Sequence, residues 1–90
     1  MPLFEYDPAK SKANQVKHGI DFEQAQELWN DENAIEAEAK PKGEKRFYRT
    51  GSIGKRIWTA IFTYREDRIR IVSVRRARDS EKLAYLDRGI

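Results

Sequence analysis

The spacing of apolar residues changes near Ala34, and that change sets the fold class. Before it, apolar side chains recur every three or four positions, as on one face of a helix; after it they recur every second position, as on a strand. Ninety residues have room for one modest core, so both halves belong to a single domain spanning residues 1–90. The expectation is an α+β domain. It has an antiparallel sheet of three to five strands, two N-terminal helices packed on one face, and a short C-terminal helix.

The helical half is well punctuated. Leu3-Phe4-Glu5-Tyr6 reads as a short first strand. Asp7-Pro8 pairs an N-cap with proline at the first helical position, which predicts a helix over 8–18. Ala9, Ala13, Val16 and Ile20 supply its apolar face, and Gly19 its left-handed C-cap. Asp21 with Gln24 three residues on forms a capping box for a second helix over 21–30, burying Phe22, Ala25, Leu28 and Trp29.

In the second half, Ala34–Ala39 alternates with an acidic face, as a weak edge strand does. Residues 40–45 form a charged loop, Gly54-Lys55 a tight turn and Glu66-Asp67 another. Strands are therefore expected at 46–53, 56–65 and 68–76, as an antiparallel meander. In the last of these, strict alternation puts Ile69, Ile71, Ser73 and Arg75 on one face and Arg70, Val72, Val74 and Arg76 on the other. Ser80 to Arg88 is a final helix ended by Gly89, with Leu83 and Leu86 facing inward.

Charge is divided as sharply as period. Residues 1–39 hold three lysines against nine carboxylates, a net of −6; residues 40–90 hold five lysines and ten arginines against six, a net of +9. Such asymmetry points to a polyanionic partner for the second half, or to acidic helices neutralising a basic sheet. No cysteine is present, in keeping with a reducing cytoplasm. The longest apolar run, Ile57–Phe62, is too short to span a membrane, and the N-terminus does not read as a signal peptide.

Arginine at strand ends offers a fixed fork of donors to phosphate. Cleaving RNA without a metal requires cations around the phosphorane and groups that move protons to and from oxygen. Arg65, Arg75 and Arg76 are the candidate phosphate ligands, with the short loops of the meander expected to bring them and Arg49 near one another; the alternative is that they are solvated strand-end arginines. His18 is the one side chain that titrates near neutrality unperturbed, which makes it the candidate acid or base. It reads equally as a helix-end residue favoured by the dipole. Arg49, Lys55, Arg70 and Tyr64 are candidate RNA contacts, tyrosine by stacking on unstacked bases. One histidine and scattered carboxylates have no metal-ligand spacing, so neither metal nor other cofactor is expected.

Phe4-Glu5-Tyr6-Asp7-Pro8-Ala9-Lys10, Asn14 and Lys17-His18-Gly19-Ile20-Asp21-Phe22-Glu23-Gln24-Ala25 resemble the opening of the BrnT toxin family. Tyr64-Arg65, Arg70-Ile71-Val72-Ser73-Val74-Arg75-Arg76-Ala77, Glu81 and Tyr85 resemble its closing half. Departures are small: Tyr6 stands where tryptophan is usual, Asp21 where serine is common, Val74 where alanine is common. The resemblance implies a RelE-like fold and an mRNA-cleaving ribonuclease that arrests translation and growth. It also implies a ribbon-helix-helix antitoxin, BrnA, through which the complex binds operator DNA. Composition and charge alone support only a non-catalytic nucleic-acid-binding module, which is the competing reading.

Overall fold

The computed structural model describes residues 2–39 and 43–88. In chain order the elements are β1 (Leu3–Glu5), α1 (Pro8–His18), α2 (Phe22–Ala25), a 3₁₀ helix (Gln26–Asn30), β2 (Ile35–Ala39), β3 (Arg46–Ile53), β4 (Arg56–Arg65), β5 (Arg68–Arg76) and α3 (Asp79–Arg88). The three long strands fall where the alternation predicts them. Residues 40–42 of the expected loop and the expected stop at Gly89 lie outside the described residues.

The strands form one sheet in the order β1-β5-β4-β3-β2. β2 to β5 make an antiparallel meander, but β1 runs parallel to β5, so the sheet is mixed rather than antiparallel throughout. The reason lies in the connection. After β1 the chain crosses one face as α1, α2 and the 3₁₀ helix and re-enters at the far edge; four antiparallel strands then return it to β1's side.

The predicted caps form. Asp7 accepts from the Ala9 N–H at 2.8 Å, and Gly19 adopts φ 80° with its N–H on the Gln15 carbonyl at 2.9 Å. The Asp21–Gln24 capping box closes at both bonds. The second helix tightens to 3₁₀ after Ala25, so the expected α-helix over 21–30 is only partly α. Phe22, Ala25 and Leu28 nevertheless reach the core, against Trp58, Ala60, Phe62, Ile69, Ile71 and Val74.

Two predicted apolar faces point outward instead. On α1, Ala9 and Ala13 are exposed and Val16 is 83% exposed, while Ser11 and Asn14 face the sheet. On α3, Leu83 and Leu86 are 67% and 59% exposed. In both helices hydrogen bonding decides which face is turned in. β1 pairs β5 only through Arg70, so beyond it β5 has no strand on that side. Asn14 takes the empty place: its Nδ2 donates to the Val74 carbonyl at 2.9 Å, its Oδ1 accepts the Val74 N–H at 3.2 Å, and Nδ2 also reaches the Ile20 carbonyl at 2.7 Å. Ser11 accepts the Phe22 N–H at 2.9 Å, joining α1 to α2. Buried backbone groups must find partners, and this requirement outweighs the apolar face of an exposed helix.

The faces of β5 also differ from strict alternation. The pairing shifts between Ile61 and Phe62, where Ile61 faces Ser73 and Phe62 faces Ile71, leaving Val72 as the extra residue of a bulge. Ile69, Ile71, Val74 and Arg76 therefore share the face covered by α1 and α2, while Arg70, Ser73 and Arg75 lie on the opposite one.

Asn14→Ala strips partners from three buried backbone groups, which costs about 2–3 kcal/mol. Thermal unfolding should record a midpoint lower by roughly 10 °C or more in a domain of this size, whereas Val16→Ala, at an exposed site, should leave it unchanged within about 2 °C.

Candidate nucleic-acid interface

The turn of the β3–β4 hairpin, the C-terminal end of β5 and the α1–α2 junction meet at one end of the sheet. Gly54, at φ 61°, makes the turn and Lys55 projects from its tip. Lys55 and Arg56 line a cavity with Gly19, Ile20, Gln24, Ile53 and Trp58. The Arg76 guanidinium lies over the Trp58 ring, its Cζ 5.5 Å from the ring centroid. Lys55, Arg56, Arg76 and Arg78 are all exposed. None of these four takes part in the salt bridges found among the described residues. His18 is the residue immediately before this cavity, half-buried at the end of α1. The Gly19 N–H supplies the helix cap there, and among the described residues the imidazole makes no hydrogen bond. Exposed cations grouped at one end of the sheet, Lys55 and Arg56 in one cavity and Arg76 over the Trp58 ring, are what a phosphate backbone calls for.

Arg75 reaches the same end of the sheet on the opposite face, and there it is occupied. Its Nη1 and Nη2 donate to Glu81 Oε1 and Oε2 at 2.7 and 3.0 Å, and its Cζ lies 5.6 Å from the Tyr48 ring centroid. Glu81 Oε1 accepts further from the Arg78 N–H at 2.7 Å and from Thr59 at 3.0 Å. Burial alone would raise the Glu81 carboxyl; the bonds from Arg75, the Arg78 N–H and Thr59, with the Arg75 charge, outweigh it and bring the group down to about 2. One turn further along α3, Tyr85 donates to Asp31 at 2.6 Å, and Asp31 also accepts the Ser52 and Asn33 N–H groups. Desolvation opposes the Asp31 charge, but these bonds still leave its carboxyl below the ordinary value.

The remaining candidates do not assemble with these. Arg65 is six residues along β4 from Thr59, the partner of Arg75, which places it about 20 Å away. It is exposed and pairs with Glu44 at 3.4 Å. The expectation that short loops gather Arg65, Arg75 and Arg76 is corrected: antiparallel strands send their ends to opposite edges, and Arg75 and Arg76 alternate across the sheet. Arg70 bonds Glu5 at 2.7 Å. Arg49 donates to the Leu28 carbonyl at 3.0 Å, pairs with Glu36 and lies over Trp29. Tyr64 donates to Glu36 at 2.7 Å, and burial together with that carboxylate pushes its hydroxyl up to about 12.

Sequence reasoning left Arg56, Arg78 and Gln24 out of the site. Only the fold makes Arg56 a neighbour of Gly19, because the two are separated by the whole of the 3₁₀ helix, β2 and β3. Among the described residues no three His, Cys, Asp or Glu side chains are grouped as metal ligands would be, and no helix is long and apolar enough to cross a membrane.

The Glu81 bonds make stability depend on pH with a definite sign. The folded carboxyl titrates near 2 against an ordinary 4.5, so its contribution is full above about pH 5 and is lost as pH falls from 4.5 toward 2. Glu81→Gln should remove up to about 3 kcal/mol at neutral pH. Urea unfolding at pH 7 and pH 3 should show the gap between parent and variant narrowing at the lower pH.

A search of curated proteins returned no significant match. A family model described as the ribonuclease toxin BrnT of type II toxin–antitoxin systems matches residues 6–81. That span runs from the end of β1 to the Glu81 carboxylate that holds Arg75, and it includes His18, Gln24, Lys55, Arg56 and Arg76. The chain belongs to the BrnT family of ribonuclease toxins, whose type II systems pair each toxin with an antitoxin.

Proposed function

We propose that this toxin is a metal-independent endoribonuclease that binds single-stranded RNA across the hairpin end of its sheet. Acting in the cytoplasm, it cuts message and so stops translation and growth. The observation that carries this reading is that exposed Lys55 and Arg56 share a cavity with Trp58 and exposed Arg76 lies over the same ring, none of the three in a salt bridge found among the described residues. In it Arg76 holds the scissile phosphate and stabilises the phosphorane, and the imidazole of His18 moves the proton. Lys55 and Arg56 hold flanking phosphates. Arg75 serves through the Glu81 lock, which stiffens the strand end that presents Arg76. Arg65, Arg70 and Tyr64 fall outside the reacting centre, engaged by Glu44, Glu5 and Glu36, and Arg49 keeps the sheet edge packed.

Support for the metal-free mechanism is the lining of the cavity at the α1–α2 junction, which offers Lys55 and Arg56 and no carboxylate. The meander with α1 and α2 on one face supports kinship with RelE-like ribonucleases. A ribbon-helix-helix antitoxin of the BrnA type completes the reading: it silences the enzyme by covering the basic end, and it alone brings the complex to operator DNA.

The test is single-turnover cleavage of a labelled RNA in EDTA. Arg76→Ala should lose on the order of 10²–10³ in rate, and His18→Ala roughly 10²–10⁴. RNA affinity should change far less, because an arginine aimed at the phosphorane matters more in the transition state than in the ground state. Parent affinity should fall steeply from about 50 to 200 mM salt as counterions are released. Tight, salt-sensitive binding with no cleavage at any concentration would instead make the chain a binding module.

A further inference from the structure

The cavity at the α1–α2 junction has a composition that phosphate binding does not require. Its wall is apolar, from Ile20, Ile53 and Trp58, while its polar side chains are Gln24, Lys55 and Arg56. The volume is about 260 Å³. That is just below the roughly 300–1,000 Å³ of sites that take drug-sized ligands, and suits one flat ring system.

The hydrogen-bonding capacity of the cavity's polar side chains is one-sided. Gln24 Oε1 is already used, because it accepts the Asp21 N–H at 3.1 Å in the capping box. The amide NH₂ remains, and among the described residues nothing takes its protons. Lys55 and Arg56 have only donors to offer. A set of donors favours a base edge made of acceptors. Guanine presents two adjacent ones, N7 and O6, whereas adenine and cytosine place an amino group on that edge and uracil has a single oxygen there. In single-stranded RNA such an edge is open to side chains, and the ring is free to stack or pack.

We propose that this cavity receives one guanine of the RNA, its ring against Ile20, Ile53 and Trp58 and its N7/O6 edge facing the Gln24 amide, Lys55 and Arg56. Arg76, over Trp58, then lies beside the phosphate of the same nucleotide. The cavity thereby selects the base at which the strand is engaged. This rests on the reading of the chain as an RNA-binding toxin, and goes beyond it in assigning a base-reading site.

The test uses four short oligoribonucleotides that differ only in one central base, 2′-O-methylated so that binding is measured without cleavage. The parent should bind the guanine oligomer more tightly than the other three by on the order of tenfold. Gln24→Glu keeps an oxygen for the Asp21 N–H, since Glu and Gln both serve a capping box, but exchanges the free donor for an acceptor. It should keep the parent melting temperature, lose the guanine preference and improve relative binding of adenine or cytosine. Ile53→Trp, which fills the cavity, should reduce the guanine oligomer to the level of the others. Equal parent binding to all four, or a guanine preference that survives Gln24→Glu in folded protein, would overturn the proposal. Guanine-selective binding by a parent that cleaves no RNA would uphold the cavity while removing the nuclease reading; cleavage by a parent that ignores the base would do the reverse.

Discussion

The Asn14 side chain is the piece on which the arrangement of the layers depends. One amide group satisfies both backbone atoms of Val74, on the strand, and the carbonyl of Ile20, in the junction between the helices. In effect it is a single residue of a missing strand, placed where β1 stops pairing with β5. Its three bonds fix α1 against β5 in rotation as well as position. Ser11 repeats the device one turn earlier by holding the first N–H of α2. An apolar contact is non-directional, and could not have set the angle of α1 or the path into α2 so narrowly.

A second polar lock holds α3 to the other face. Its inward residues are Glu81 and Tyr85, one turn apart, anchored to Arg75 and Asp31. Asp31 in turn needs Gly51, where a Cβ would stand 3.0 Å from its carboxylate. The helix is therefore placed by hydrogen bonds to Arg75 of β5 and to Asp31 after the 3₁₀ helix, and its leucines are left in solvent. A domain with little core to spare uses directional contacts to hold the end of β5 still.

The charge asymmetry resolves into two parts. Glu5, Glu36 and Glu38, from the acidic half, pair with Arg70, Arg49 and Lys45 from the basic half, so part of the basic sheet is neutralised within the fold. At the hairpin end no such partners reach Lys55, Arg56, Arg76 or Arg78. The salt bridges thus neutralise part of the basic sheet, while among the described residues Lys55, Arg56, Arg76 and Arg78 stay outside them, as do Arg46 and Arg68 at the sheet's other end.

Local signals sufficed for much of the chain. The N-cap at Asp7, the capping box at Asp21 and Gln24, the left-handed Gly19 and the period-two runs depend on neighbours within four residues, and the elements begin and end where those residues place them. The residues quoted for the family resemblance lie mostly within the span that the family model matches. Other features were settled only by tertiary structure. Whether Ala13 or Asn14 faces inward depends on an unpaired stretch of β5 sixty residues away. Which face Arg70 and Ile71 occupy depends on a bulge against Ile61 and Phe62, invisible to alternation within β5 alone. Whether an arginine is available or already bound depends on which carboxylate the fold brings to it: Arg75 has Glu81, Arg65 has Glu44, and Arg76 has an indole ring. Caps and periods are short-range and can be read from the chain, whereas satisfying a distant backbone group or compensating a charge is a property of the closed fold.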